Sequence, residues 1–177
     1  MKTAILVNGV PASGKSTVAK AISQCAGWPL LALDTVKEAL FAQLGTGDRD
    51  HNRLFGEASY KAIFAVAADF PTGSTIAIDA WFGFQPTDVL IAHLQCAGVS
   101  NVIEVWCHAP PEVVGERYRA RLASRPEGHL GASYIPELVA LAARAAPIGG
   151  CPVVDVDTMR PLDAPALVAR LKALGAA

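Results

Sequence analysis

The sequence predicts an α/β fold in which helices cover both faces of a parallel β-sheet. Short apolar runs rich in β-branched residues alternate along the chain with longer segments of helical periodicity. These runs are apolar at consecutive positions, which is typical of parallel strands buried on both faces. The expected architecture therefore has three layers, α/β/α, built around a five-stranded sheet.

The individual elements follow from this alternation and from the glycines and prolines that separate them. The predicted strands are Thr3–Val7, Pro29–Leu33, Thr75–Ile78, Val102–Cys107 and Val153–Val156. The predicted helices are Lys15–Cys25, Val36–Leu44, Arg53–Phe70, Thr87–Ala97, Pro111–Ser124, Ser133–Ala146 and Ala164–Leu174. No repeat, low-complexity tract or linker interrupts them, so we expect one domain over residues 1–177.

Composition narrows the classes of function. Of the 177 residues, 52% are hydrophobic and 18% are charged, which suits one globular core. No run of about 18 apolar residues predicts a membrane span. The net charge of −1 gives no basis for binding nucleic acid or an anionic membrane. The four cysteines lack Cys-x-x-Cys spacing, so we expect reduced thiols, mostly buried, in a cytoplasmic protein.

A glycine-rich motif follows the first predicted strand and precedes the first predicted helix. Gly9–Thr17 matches G-x-x-x-x-G-K-[ST] in full, in the strand–loop–helix context that a P-loop requires. Such a loop turns backbone N–H groups toward the phosphates of ATP, the lysine reaches the β- and γ-phosphates, and the serine hydroxyl ligates Mg²⁺. The expected nucleotide-binding residues here are Gly9, Pro11, Ala12, Ser13, Gly14, Lys15, Ser16 and Thr17.

Two carboxylates follow predicted strands, at the sheet edge where ligands bind in open α/β folds. Asp34 is predicted either to take the proton of an acceptor hydroxyl or to cap the next helix. Asp79 is predicted either to hold Mg²⁺ or to be an ordinary turn residue. Asp155 and Asp157 flank the fifth strand and are expected to shape the nucleotide-base pocket or cap the chain.

An arginine-rich segment lies between the fourth and fifth strands. Arg117, Arg121 and Arg125 recur every four residues, so they share one face if the helix continues to Ser124. We predict a lid over about residues 117–132 that closes over ATP, in which Arg117 and Arg121 bind the nucleotide and Arg125 assists catalysis. The alternative is a solvated helix face that pairs with glutamates.

With these motifs in place, the chain resembles the small P-loop kinases of the chloramphenicol phosphotransferase, zeta-toxin-like and gluconate/shikimate kinase type. The resemblance rests on Gly9–Thr17, Leu33–Leu40, Ile78-Asp79 and the segment ending Arg125–His129. It implies a P-loop NTPase fold with strand order 2-3-1-4-5, ATP and Mg²⁺ as cofactors, and Asp34 as the base toward the substrate hydroxyl. It also implies that Arg117 packs near the adenine.

The acceptor is expected to bind between Asp34 and Phe84. Trp81, Phe82 and Phe84 follow the third strand, close to this edge of the sheet. Trp81 and Phe82 are predicted either to stack on a ring or sugar or to pack in the core. The residues expected in the region that covers the acceptor are His51, Arg53, Phe55 and Tyr60. Arg49 and Arg53 are predicted either to hold a carboxylate or phosphate of the acceptor or to be solvated. The sequence predicts neither the acceptor nor the oligomeric state.

The leading hypothesis is a kinase that phosphorylates a hydroxyl of a small molecule. A polynucleotide 5′-kinase is the second hypothesis, although the charge balance provides no basic track for a nucleic acid. The third is a nucleotide-binding regulatory protein, or an ATPase without an acceptor.

Overall fold

A computed structural model describes residues 1–177, and it contains one five-stranded sheet in the order β2-β3-β1-β4-β5. All neighbouring strands are parallel. The strands are β1 (Lys2–Asn8), β2 (Leu30–Ala32), β3 (Thr75–Asp79), β4 (Val99–His108) and β5 (Val153–Asp157). The predicted α/β class and the predicted strand order are both confirmed.

Seven α-helices connect and cover the strands. They are α1 (Lys15–Ala26), α2 (Leu33–Leu44), α3 (Arg49–Asp69), α4 (Thr87–Cys96), α5 (Pro111–Arg121), α6 (Ile135–Arg144) and α7 (Ala164–Ala173). Short 3-10 turns cover Phe82–Phe84, Leu122–Ser124 and Ala132–Tyr134. None of these helices is long and apolar enough to cross a membrane.

Two helix boundaries differ from the sequence prediction in ways that affect the site. Helix α3 begins at Arg49 rather than Arg53, because the Asp48 side chain accepts a hydrogen bond from the His51 N–H and so caps the helix. Helix α5 ends at Arg121 rather than near Ser124, and Arg125 has an extended backbone. The three arginines therefore do not share one helical face.

The central strand β1 has buried side chains on both faces of the sheet. Ile5 and Val7 pack on the side that carries α1 and α7. Ala4 and Leu6 pack on the opposite side with α3 and α4. A smaller apolar cluster joins the phosphate-loop motif to α5 and α6. These layers produce the α/β/α arrangement, because each sheet face needs its own helical cover.

A buried lysine joins the ends of two helices at the start of β1. The Lys2 ammonium donates hydrogen bonds to the carbonyls of Ala67 and Ala68 near the end of α3, at 2.9 and 3.0 Å. It also donates to the carbonyl of Ala97, the C-cap of α4, at 2.9 Å. A cation at helix C-termini satisfies unpaired carbonyls and complements the helix dipoles, so Lys2 fixes the layer formed by α3 and α4.

The cysteines are less buried than expected. Cys107 is buried and Cys151 is half-buried, whereas Cys25 and Cys96 are exposed, and all four are free thiols. Cys25 and Cys96 lie in the last turns of α1 and α4. The apolar periodicity of a helix does not by itself fix which way its last turn faces.

Candidate functional site

The Gly9–Thr17 motif forms a tight loop between β1 and α1. Gly9 and Gly14 have φ values of 148° and 95°, a region that side chains with a Cβ rarely adopt. A Cβ on Gly9 would collide with the Cys107 carbonyl and the Ser13 hydroxyl. Ala12 is the one non-glycine residue with positive φ, at 65°, and such strain is typical of functional loops.

A buried polar network fixes the start of this loop. The Asn8 side-chain oxygen accepts hydrogen bonds from the N–H groups of Gly9 and Phe82, at 2.8 and 3.1 Å. Its amide nitrogen donates to Glu104 of β4 at 2.7 Å, and Glu104 also accepts from the Ile148 N–H at 2.9 Å. Glu104 is completely buried. The network thus ties β1 and β4 to the segments that follow β3 and α6.

Thr158, which follows β5, links the loop to the arginine segment. Its hydroxyl lies 2.7 Å from the Ser13 carbonyl oxygen and 2.9 Å from that of His108. Arg117 donates to the Thr158 hydroxyl at 2.9 Å and to its carbonyl at 3.0 Å. Arg117 is therefore held against the segment that follows β5, next to the loop.

Two cavities border the loop. The first, here called the α5–β5 cavity, lies between the loop, α5 and the segment after β5, and has a volume of about 690 Å³. The second, the α2–α3 cavity, lies among α2, α3, the end of β3 and the segment after α5, with a volume of about 470 Å³. Ala12, Gly14 and Thr17 face the first cavity, while Pro11 and Lys15 face the second.

The three arginines divide between the cavities. Arg117 and Arg121 line the α5–β5 cavity, whereas Arg125 lines the α2–α3 cavity. The guanidinium of Arg125 lies 3.7 Å from an Asp34 carboxylate oxygen and 5.2 Å from the centre of the Tyr118 ring. The expectation that all three arginines lie on one helical face is thus wrong, because the helix ends before Arg125.

The segment after α5 packs against α2 and α3. The Asn52 side chain donates a hydrogen bond to the Gly128 carbonyl. The His129 ring lies 2.9 Å from a Glu38 carboxylate oxygen and contacts the Phe41 ring edge-on. The predicted lid therefore covers the α2–α3 cavity in this structure, and only its first arginines reach the α5–β5 cavity.

Asp34 lies in the first turn of α2 and borders the α2–α3 cavity. It is not the N-cap, because the helix begins at Leu33 and Ala32 takes the capping position. Burial acts to raise the pKa of Asp34, but the surrounding cations outweigh it and lower the pKa below its usual value. These cations are Lys15, Arg125, His129 and Lys37. The carboxylate is thus kept ionised beside the cavity.

Asp79 ends β3 and is only 6% exposed. Burial raises the pKa of its carboxyl, an effect opposed by the Lys15 ammonium and the Ser16 hydroxyl. One carboxylate oxygen is buried without any hydrogen-bond partner, an arrangement that requires an explanation in a native fold. Mg²⁺ commonly binds one or two protein oxygens and completes its shell with water and phosphate, so Ser16 and Asp79 suit this ion.

The aromatic residues expected around the acceptor separate into two groups. Trp81 and Phe84 line the α2–α3 cavity, and the Trp81 ring lies 6.3 Å from that of buried Trp106. Phe82 and Tyr60 instead pack together in the core, which makes the expectation for Tyr60 wrong. Successive positions of a 3-10 turn and of a helix face different ways, and neighbours in sequence therefore separate.

The remaining residues of α3 occupy the mouth of this cavity or lie outside it. Arg49 forms an ion pair with Glu137 of α6 at 2.7 Å, and Arg53 pairs with Glu57 at 3.1 Å. Both arginines line the cavity and are largely exposed. The rings of His51 and Phe55 contact each other in a tilted arrangement, with centres 4.3 Å apart, and neither residue lines the cavity.

Asp155 and Asp157 lie in β5, line the α5–β5 cavity and contact basic side chains. Asp155 lies 3.0 Å from the His108 ring, and Asp157 lies 3.3 Å from the guanidinium of Arg160.

The sequence analysis missed several cavity residues, including Lys37, Asn52, Tyr118, His129 and Tyr134. Lys37 is 8% exposed, and its ammonium donates to the Asn52 side-chain oxygen at 2.8 Å. Its position three residues after Asp34 places both side chains on one face of α2. That spacing was the available signal. It was missed because a lone lysine in a helix usually indicates a solvated surface.

Comparison with known proteins gives one family match. A family model described as an AAA domain matches residues 5–145. No curated protein sequence matches the chain.

Solved structures give broader similarity. A candidate kinase from Chloroflexus aurantiacus is 27% identical, with a TM-score of 0.81 and 97% of each chain covered. Kti12 from Chaetomium thermophilum, in complex with ADP-AlF3, is 16% identical, with a TM-score of 0.67, covering 98% of this chain and 100% of that one. A gluconokinase from Sinorhizobium meliloti is 23% identical, with a TM-score of 0.59, covering 96% and 93%. The last two similarities concern the fold.

Proposed function

The chain belongs to the AAA domain family, and on that premise we propose that it transfers the γ-phosphoryl group of ATP to a hydroxyl group of a small molecule. One observation carries this proposal: the phosphate loop separates two cavities rather than bordering one. A transferase needs a site on each side of the transferred group, whereas a nucleotide switch needs only the nucleotide site.

ATP occupies the α5–β5 cavity and the loop in this proposal. The volume of about 690 Å³ is within the usual range for small-ligand sites. Loop N–H groups and Lys15 bind the phosphates, while Arg117 and Arg121 lie beside the base and sugar. Ser16 and Asp79 would hold Mg²⁺, which when bound neutralises charge on the β- and γ-phosphates.

The acceptor occupies the α2–α3 cavity. Its volume of about 470 Å³ suits a small molecule, and Trp81 and Phe84 offer an aromatic wall. Asp34 accepts the proton of the attacking hydroxyl, a role that requires an ionised carboxylate. Arg125, next to Asp34, stabilises negative charge on the transferring phosphoryl group. The cofactor-binding and catalytic assignments are part of this proposal.

The direct test replaces Asp34 with asparagine, which keeps the size of the side chain but removes the base. We expect acceptor-dependent ADP release by Asp34→Asn to fall by about 10²–10⁴-fold, with little change in ATP binding. The measurement is coupled ADP release over a panel of polyols, sugar acids and aromatic alcohols, together with ATP titration calorimetry. Asp69→Asn, at an exposed position at the end of α3, is the matched control.

The same panel separates the alternative functions. ATP turnover that no alcohol stimulates, and that Asp34→Asn leaves unchanged, would identify an ATPase or regulatory protein and overturn the kinase proposal. Short oligonucleotides added to this panel test the polynucleotide 5′-kinase hypothesis. We expect no stimulation by them, because the acceptor cavity is small and the net charge is −1.

A further inference from the structure

Lys37 is a buried cation in the α2–α3 cavity whose only part in the proposed phosphoryl transfer is to help keep Asp34 ionised. In the proposed reaction, Lys15 and Arg125 act on the phosphates and Asp34 acts on the hydroxyl. Lys37 lines the same cavity but comes from the far side of Asp34, one helical turn further along α2. It is only 8% exposed, and burial of a charge is costly unless a partner compensates.

The protein compensates this charge only in part: the Asp34 carboxylate acts on Lys37 electrostatically but forms no ion pair with it. An ammonium has three N–H donors, and one of them binds the Asn52 side-chain oxygen at 2.8 Å. The Phe41 ring centre lies 5.5 Å from the nitrogen, a weak cation–π contact. No carboxylate forms an ion pair with Lys37 within 4.0 Å, and the nearby Glu38 is already paired with His129.

Lys37 is held in this position through Asn52, which is itself hydrogen-bonded to a second segment of the chain. Asn52 accepts from Lys37 and donates its own amide hydrogen to the Gly128 carbonyl, so the amide orientation is fixed. Asn52 comes from α3 and Gly128 from the segment after α5. The lysine is thus fixed where these two elements meet over α2, beside a cavity whose other wall carries Trp81 and Phe84.

We propose, resting on the function proposed above, that Lys37 binds an anionic group of the acceptor, which is therefore a small hydroxylated carboxylate or phosphate monoester. Two free N–H donors of Lys37 face the acid group while Asp34, three residues earlier, faces the hydroxyl. Lys37 at the acid group and Asp34 at the hydroxyl together fix the orientation of the acceptor. A single carboxylate suits the site better than a phosphate, because Lys37 is the one lysine or arginine in the cavity that neither acts on the phosphates in the proposed reaction nor forms an ion pair at the mouth.

The test compares acceptors that share a carbon chain but differ in charge. Sorbitol is neutral, gluconate carries a carboxylate, and sorbitol 6-phosphate carries a phosphate. ADP release is measured for wild type, Lys37→Met, Lys37→Arg and the control Lys61→Met, an exposed lysine of α3. A second matched set uses a cyclic hydroxy acid, its methyl ester, and the analogue that carries a phosphate monoester in place of the carboxylate.

We expect the acids to be phosphorylated and their neutral partners to be poor substrates. Lys37→Met should raise KM for the acid at least about tenfold, the usual effect of losing a hydrogen bond to a charged group. It should leave KM for ATP and KM for the neutral partner unchanged. Lys37→Arg should recover part of the loss, and Lys61→Met should behave as wild type.

Each other outcome overturns the inference in a recognisable way. If neutral alcohols are the better substrates, the anionic acceptor is wrong while the proposed kinase function stands. If Lys37→Met lowers activity on acids and neutral alcohols alike, and lowers Tm, Lys37 has a structural role only. If no member of either set stimulates ADP release although ATP binds, the kinase function and the inference fail together.

Discussion

At the scale of single residues, the pKa of Asp34 is set by several neighbouring side chains. Its carboxylate lies 3.7 Å from Arg125, and the charges of Lys15, His129 and Lys37 act in the same direction to lower its pKa. A low pKa weakens the carboxylate as a base but ensures that it is ionised whenever an acceptor binds. In the proposed reaction, Lys15 and Arg125 also act on the phosphoryl group that meets the hydroxyl beside Asp34.

Removing one cation should therefore raise the pKa of Asp34. In wild type we expect the carboxyl to titrate below the usual aspartate value of about 3.9, and in Arg125→Gln we expect the midpoint to move upward. The measurement is the ¹³C chemical shift of the Asp34 carboxyl carbon as a function of pH. Arg144→Gln, an exposed change in α6, should leave the midpoint in place. Identical midpoints in wild type and Arg125→Gln would contradict the assigned cause.

Among the secondary-structure elements, β1 and β4 are joined by more than their backbone ladder. Glu104 is completely buried, and its partners Asn8 and Ile148 belong to segments on either side of it. Burial raises the pKa of Glu104, and the hydrogen bonds from Asn8 and the backbone oppose this rise only in part. A raised pKa means that the stabilising contribution is present at low pH and is lost as pH rises through the folded-state pKa.

Replacement of Glu104 by glutamine should flatten this pH dependence. Glutamine keeps an oxygen that can accept from Asn8 but carries no charge at any pH. We expect Glu104→Gln to gain stability relative to wild type as pH rises from about 4, the usual glutamate pKa, to about 8. Urea unfolding at several pH values measures the difference. Glu112→Gln, an exposed change in the first turn of α5, should parallel wild type, and a parallel curve for Glu104→Gln would disprove the prediction.

Lys2 supports a second pair of elements. Its three hydrogen bonds to carbonyls at the ends of α3 and α4 are made by a charged donor in a buried site. Lys2→Met keeps the aliphatic stem but deprives these carbonyls of their charged donor. We expect a loss of unfolding free energy on the order of 3 kcal/mol, measured by urea denaturation. Lys61→Met serves as the control, and an equally small effect of both changes would contradict this role.

At the scale of the whole molecule, the alternation of strands and helices and the phosphate loop were predictable from sequence because their signals are local, whereas the strand order came from the family resemblance. Gly9, Gly14 and Lys15 specify a loop by spacing alone. The α2–α3 cavity was predicted only in outline, since it forms where three distant segments meet. Lys37, Asn52 and Gly128 become neighbours only after folding.

Errors in the sequence analysis have the same origin. Tyr60 lies in the middle of α3, and helical periodicity gives its position on the helix but not which layer that face meets. Arg125 keeps the spacing of its helical neighbours but follows the end of α5, where a 3-10 turn redirects the chain. Long-range packing, rather than local propensity, decides both positions.

The position of the tryptophans makes the acceptor site optically distinct from the nucleotide site. Of the three tryptophans in the chain, Trp28 is buried and hydrogen-bonded to the C-terminal residue, and Trp106 is buried in the sheet. Only Trp81 lines the α2–α3 cavity, and the α5–β5 cavity has no tryptophan in its wall. Intrinsic emission therefore reports entry into the α2–α3 cavity, so affinity for the proposed acceptor is measurable at equilibrium without any turnover.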